Sequence, residues 1–224
     1  MGYLENIVKK PWGYEYLAYE NDECALWLLH INENQRTSMH CHPNKTTGLT
    51  VLSGEVTVSF LSDDFKLSSM KKIMIRKGLF HSTCATSENG ADIFEIETPV
   101  DKFDLVRLRD RYGRKGKPYE NSTFEYPKED DCLWIEDPSG DEPNVYMFGK
   151  VKLTVRPVKS ADFFDSLDNN INVMFLKGGI ITEYGINVAG AGDIISAAVV
   201  KELTQTFNQV RDETIIMIME GGNE

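Results

Sequence analysis

Short strand-like runs broken by turn signals constrain this chain more than any other feature. Leu49–Phe60 (LTVLSGEVTVSF) alternates, with Glu55, Thr57 and Ser59 opposing Val56, Val58 and Phe60, and Gly54 marks a bend or bulge. Ala25–Ile31 (ALWLLHI) is an apolar run of strand length, and Lys72–Arg76 and Asp92–Glu97 continue the pattern. Before Asp101 no window longer than about ten residues shows clean helical periodicity, so an all-β sandwich or barrel is expected.

Composition sets the scale of that β structure. The 224 residues exceed one small domain, and with 41% hydrophobic and 26% charged residues they can bury a core. Lys plus Arg is 24 against 35 Asp plus Glu, a net charge of −11. That balance argues against nucleic acid or an anionic membrane as partner, but a phosphorylated small molecule needs only a local Arg or Lys cluster. The longest apolar runs, such as Ile215–Met219, fall far short of the ~18 residues of a membrane span. The opening MGYLENIVKKPWG has no signal-peptide core. Four cysteines (Cys24, Cys41, Cys84, Cys132) without a CxxC pair suit reduced thiols, so a cytoplasmic location is expected.

The chain divides by composition. Residues 116–144 hold four of the eight prolines and many acids and read as a linker between residues 1–115 and 145–224. Beyond it, Val145–Val155, Asn172–Ile181 and Glu213–Glu220 read as strands, and Ala161–Leu167 as one short helix with Ser160 as N-cap. Three segments echo earlier ones in preserved order: Thr50–Val58 with Met174–Thr182, Arg76–Ser82 with Gly190–Ser196, and Ile93–Pro99 with Ile215–Gly221. Two copies of one barrel are therefore expected. The second has no histidine and presents Ile195 in the place of His81, which implies a structural role. Its strands are apolar on both faces, which implies cover by a domain or homodimer interface.

His40-Cys41-His42 sits just before a strand, where residues two apart face the same side, and His81 follows Gly78 by three. Two imidazoles in one direction plus a third from a distant turn is a ligand set for a divalent metal, whether Zn, Fe, Mn or Ni. On the strand Ile93–Glu97, Glu95 and Glu97 share one face.

HCHPNKTTGLTVLSG followed by IRKGLFHSTCA resembles the two motifs of cupins, HxH with a glycine twelve residues on and a later GxxH. The copy departs at three points: Thr47 stands in place of the usual glutamate, Arg76 in place of the proline before the second glycine, and Ala85 in place of the closing Asn. The flanks Lys10–Glu15 (KPWGYE) and Asp104–Arg114 (DLVRLRDRYGR) resemble mannose-6-phosphate isomerase cupins of type II, over about the first 115 residues. The resemblance implies a double-stranded β-helix barrel, here a bicupin with a degenerate second barrel. It also implies a metal on His40, His42 and His81 and a sugar or sugar phosphate as ligand.

Aldose–ketose isomerisation moves a proton between C1 and C2, which needs a base and stabilisation of an enediolate. Glu97 or Glu95 is the best available base, and Arg107, Arg109, Arg111 and Arg114 could fork a phosphate. Two other classes stay open: a three-histidine iron oxygenase, and a non-catalytic carbohydrate-binding or regulatory cupin. A remote fourth reading rests on Asn187–Asp193 (NVAGAGD), which looks like a sugar-kinase signature with Asp193 as base.

Overall fold

The computed structural model describes residues 7–101, 103–109 and 127–222. They fall into two compact units, Met1–Glu20 with Ala25–Trp134, and Asn21–Cys24 with Ile135–Glu224. Asp110–Tyr126, which include Arg111, Arg114 and the start of the expected linker, lie outside the described residues.

In the first unit the strands are β1 (Val8–Lys10), β2 (Gly13–Glu20), β3 (Ala25–Ile31), β4 (Met39–Cys41), β5 (Thr46–Ser53), β6 (Glu55–Ser59), β7 (Asp64–Ser68), β8 (Lys72–Ile75), β9 (Ser82–Ala85), β10 (Ala91–Thr98) and β11 (Val106–Arg109). They build one sheet in the order β1-β2-β3-β10-β5-β8 and another in the order β7-β6-β9, while β4 pairs with β11. Every named pair is antiparallel. Alternation decides β6, where Val56 and Val58 are buried and Thr57 and Ser59 are not. Between the two sheets Leu29, Ile31, Leu49, Val51, Val56, Val58, Ile75 and Ile93 pack with Trp12 into one core.

The second unit contains β12 (Asn144–Phe148), β13 (Val151–Pro157), β14 (Asn172–Lys177), β15 (Gly179–Ile181), β16 (Asn187–Gly190), β17 (Ile194–Ser196), α1 (Ala197–Thr206), β18 (Gln209–Val210) and β19 (Ile215–Glu220). Its sheets run β12-β13-β19-β14-β17 and β16-β15-β18. Replacing β2, β3, β5, β6, β7, β8, β9 and β10 by β12 to β19 in turn reproduces both strand orders of the first unit. The chain thus traces one double-stranded β-helix path twice.

A glycine marks the same corner in each copy. Gly54 follows β5 with φ +75°, and a Cβ there would lie 2.4 Å from the carbonyl oxygen of Gly90, just before β10. Gly178 follows β14 with φ +66°, and a Cβ would lie 2.9 Å from Cα of Thr214, just before β19. Both corners need positive φ and close approach of the last strand, which only glycine supplies.

The topology also corrects the sequence echo. β17 is the counterpart of β8, so Gly190–Ser196 does not align with Arg76–Ser82, and Ile195 is not the counterpart of His81. The segment that follows β17, where the first unit places His81, is helix α1. The sequence reading missed this helix, whose signal is the spacing of its buried Ala197, Val200 and Thr204. Registers likewise match Ile93 (opposite Val51) with Ile216 (opposite Phe175), one residue later than the echo aligns them. The short helix does form, as a 3-10 turn over Ala161–Ser166, with the Ser160 hydroxyl accepting from Asp162 N–H. Met174, Leu176, Met217 and Met219 are fully buried.

Gly185, at φ +76° with open space around it, provides a control. Gly185→Ala should cost only the ~1–2 kcal/mol of left-handed backbone strain. Gly54→Ala and Gly178→Ala should each cost more than that in urea unfolding, because the added methyl also meets backbone or a buried side chain.

Candidate metal centre

The site is closed by backbone before any side chain acts. His40 on β4 and His81 just before β9 exchange both hydrogen bonds, His40 N–H to His81 O at 2.9 Å and His81 N–H to His40 O at 2.8 Å. His42 follows β4 on the same side as His40, as its i+2 spacing requires. Ring centroids are 5.1 Å apart for His40 and His42, 4.5 Å for His40 and His81, and 5.7 Å for His42 and His81. One ring nitrogen from each of the three lies within 4.8 Å of the others.

The remaining ring nitrogens are fixed by carbonyls. His40 Nδ1 lies 2.7 Å from Ser38 O, His42 Nδ1 2.6 Å from Asp104 O, and His81 Nδ1 3.0 Å from Leu79 O. A carbonyl only accepts, so each Nδ1 bears the hydrogen and each Nε2 keeps its lone pair for a metal. His42 Nε2 is buried and has no hydrogen-bond partner. Burial lowers the imidazole pKa of His42 and His81 to about 4 and holds His40 well below its usual value. All three are therefore neutral at pH 7, and this donor set fits a divalent transition metal.

Asp104 holds the loop that follows His42. Its carboxylate accepts from Asn44 N–H at 2.8 Å, the Asn44 side chain at 2.9 Å and Lys45 N–H at 2.9 Å. Burial raises its pKa, but these hydrogen bonds outweigh that effect and hold it below the usual range. In the sequence Asp104 stands only as the first residue of the DLVRLRDRYGR flank, and nothing in the residue pattern announces these contacts.

Glu95 and Glu97 share the face of β10 that carries Ile93 into the core, so both point into the barrel. Glu97 Oε1 is 3.5 Å and Glu95 Oε1 is 4.0 Å from His42 Nε2. The buried Lys45 ammonium donates to Glu97 Oε1 at 2.8 Å, and the Trp27 side chain hydrogen-bonds to Glu97. Close by, Lys10 and Glu15 of the KPWGYE segment pair at 2.9 Å. The carboxyl pKa of Glu95 is raised by burial first and then by the charge of Glu97.

The sequence-predicted arginines divide. Arg107 is the cross-strand partner of His40 and therefore borders the site, whereas Arg109 lies opposite Met39 and is exposed. Asp193 sits in the turn between β16 and β17, its carboxylate accepting Gly190 N–H at 2.8 Å, which is the role of a turn residue. In the second unit the barrel interior is filled by Phe164 of the short helix and Ala197 and Val200 of α1, packed with Val173, Phe175, Ile216 and Ile218.

Two antiparallel sheets in double-stranded β-helix order, with HxH and GxxH histidines converging at one end, decide the architecture. The first unit has the cupin fold. No protein-family model and no curated protein sequence matches the chain. Among solved structures, the chain is similar to the capsular polysaccharide assembling protein CapF from Staphylococcus aureus, with TM-score 0.43 and 14% identity over 47% of this chain and 34% of that one. It is also similar to KdgF from Halomonas sp., with TM-score 0.41 and 12% identity over 43% of this chain and 88% of that one. A putative sugar phosphate isomerase from Acidithiobacillus ferrooxidans gives TM-score 0.33 and 18% identity over 35% and 52%. Among the described residues no helix is long and apolar enough to cross a membrane.

Two outcomes are expected. His42→Ala should remove most of the bound metal, read by elemental analysis of protein incubated with Zn²⁺ and desalted. In metal-free protein, unfolded His81 gains a proton below about pH 6.5, whereas folded His81 does not until about pH 4. The melting temperature of wild type relative to His81→Gln should therefore fall as pH drops through that window; a constant difference would count against a neutral, buried His81.

Proposed function

We propose that the chain is a metal-dependent aldose–ketose isomerase acting on a sugar or sugar phosphate in the barrel of the first unit. The observation that carries this reading is a pair of inward carboxylates, Glu95 and Glu97, set 4.0 and 3.5 Å from the same His42 nitrogen that completes a three-imidazole cluster. A proton-transfer site and a site for a Lewis acid therefore share one end of the barrel.

His40, His42 and His81 would hold the metal, which when bound supplies polarisation of two adjacent sugar oxygens. The rest of the chemistry falls to the chain itself. A β10 carboxylate takes the C2 proton of the open-chain aldose, the C2–H electron pair becomes the C1–C2 double bond of an enediolate, and the proton returns to C1. A second proton moves from O2 to O1, so the reaction needs no oxidant or reductant. The Lys45 ammonium, 2.8 Å from Glu97, keeps that carboxylate oriented. Arg107, bordering His40, is the described cation best placed to meet a substrate phosphate.

The test is exchange in D2O. Protein loaded in turn with Zn²⁺, Mn²⁺, Fe²⁺ or Ni²⁺ and supplied with a panel of aldose and ketose phosphates should wash deuterium into C1 or C2 of one pair. Replacing the β10 base by Gln should slow that exchange by ~10²–10⁴-fold. Oxygen uptake by the Fe²⁺ form without exchange would instead favour an oxygenase. Saturable sugar-phosphate binding without either reaction would favour a binding protein.

A further inference from the structure

We infer that the second unit carries a site for a small oxyanion, a carboxylate or a phosphate monoester, held by the guanidinium of Arg156 in a cavity of about 280 Å³ beside Phe163. The site is built entirely from second-unit residues and does not depend on the metal reading above.

Arg156 stands where the fold asks for an aliphatic side chain. On β13 it lies directly opposite Ile216 of β19, and direct antiparallel partners project from the same face. Ile216 belongs to the core of the second unit, so Arg156 also leaves the sheet on the core side. Register identifies its counterpart in the first unit. Leu29 lies opposite Ile93 as Arg156 lies opposite Ile216, and it is 4% exposed in the core between the two sheets. A cation at such a position loses hydration and needs acceptors in return. Among the described residues the guanidinium has none. Its Nε is buried without a hydrogen-bond partner, and its contact is with the ring of Phe163, whose centroid lies 4.3 Å from Cζ.

The chemistry of the ligand follows from those unused donors. A guanidinium offers five N–H groups in a planar fork and accepts nothing, so its complement is an anion with two oxygens on one centre. Packing on Phe163 holds the fork in place before a ligand arrives. Charge around the cavity agrees with an anion. The other charged residues lining it, Lys159 and Asp141, are mostly exposed and pair with each other, so their charges cancel and Arg156 sets the sign inside. Pro157, Val158 and Phe163 supply apolar wall for the body of the ligand. The volume lies just below the ~300–1,000 Å³ of sites for drug-sized molecules, which suits an anion with one short chain or ring.

Calorimetric titration of the full chain at low salt tests the site, with inorganic phosphate, glycerol 3-phosphate, acetate and glucuronate as probes. At least one probe should bind saturably, and which of them does separates a phosphate site from a carboxylate site. Arg156→Leu, which installs the first unit's own residue, should abolish that binding while leaving the ligand-free melting temperature at or above wild type. Arg156→Lys keeps the charge without the fork and should weaken binding ~10-fold. Arg107→Gln, in the first unit, should leave this binding in place. Three results would overturn the inference: no saturable binding of any probe at millimolar concentration, wild-type affinity in Arg156→Leu, or loss of binding in Arg107→Gln. Loss of binding in Arg156→Leu together with a lowered ligand-free melting temperature would also overturn it, by returning Arg156 to a purely structural role.

Discussion

The reciprocal backbone pair between His40 and His81 is the joint on which the histidine cluster of the first unit depends. It ties the segment before β5 to the segment before β9, which are separated by forty residues of sheet, and it sets two histidines side by side before either imidazole is oriented. Three carbonyls then choose the tautomers. Each of these carbonyls belongs to a loop, and the loop of Asp104 is itself pinned by its carboxylate to Asn44 and Lys45. The apolar end of the barrel, built from Leu49, Val51 and Ile93, fixes the strands that present Glu95 and Glu97 to the other end.

Period-2 patterning made much of this legible. HxH predicted two imidazoles on one side, and Glu95 and Glu97 share the predicted face; only the core partner Ile93 shows that this face is the interior. What stayed hidden depends on contacts across the sheet. Nothing around Lys45 marks it as a buried amine, because its partner Glu97 lies fifty-two residues away. Thr47 could be seen to lack a carboxyl group, but which residue stands opposite it is a matter of register, and register is set by the whole sheet. Helix α1 escaped because ten residues of modest amphipathicity, with no side-chain hydrogen bond from the N-cap Ser196, look much like a turn next to a strand.

The echo between the halves was informative about number and misleading about position. It pointed to two copies of one arrangement, and the two units share their strand orders. It failed where the copies diverge most, at the segment after β8 and β17, because sequence similarity aligns residue types and the sheets align hydrogen bonds. A one-residue slip at β19 exchanged the faces of a whole strand, which is why Ile216, and not Ile215, matches Ile93.

Helix α1 also has a consequence for what the second unit can accommodate. The loop that offers His81 in the first unit is a helix in the second, and its Ala197 and Val200 now belong to the core with Phe164. Substituting a histidine for either would overpack that core and bury an imidazole without partners. The position is thus committed to packing. In the first unit the equivalent stretch is free of that packing demand, and it is there that His81 meets His40 and His42.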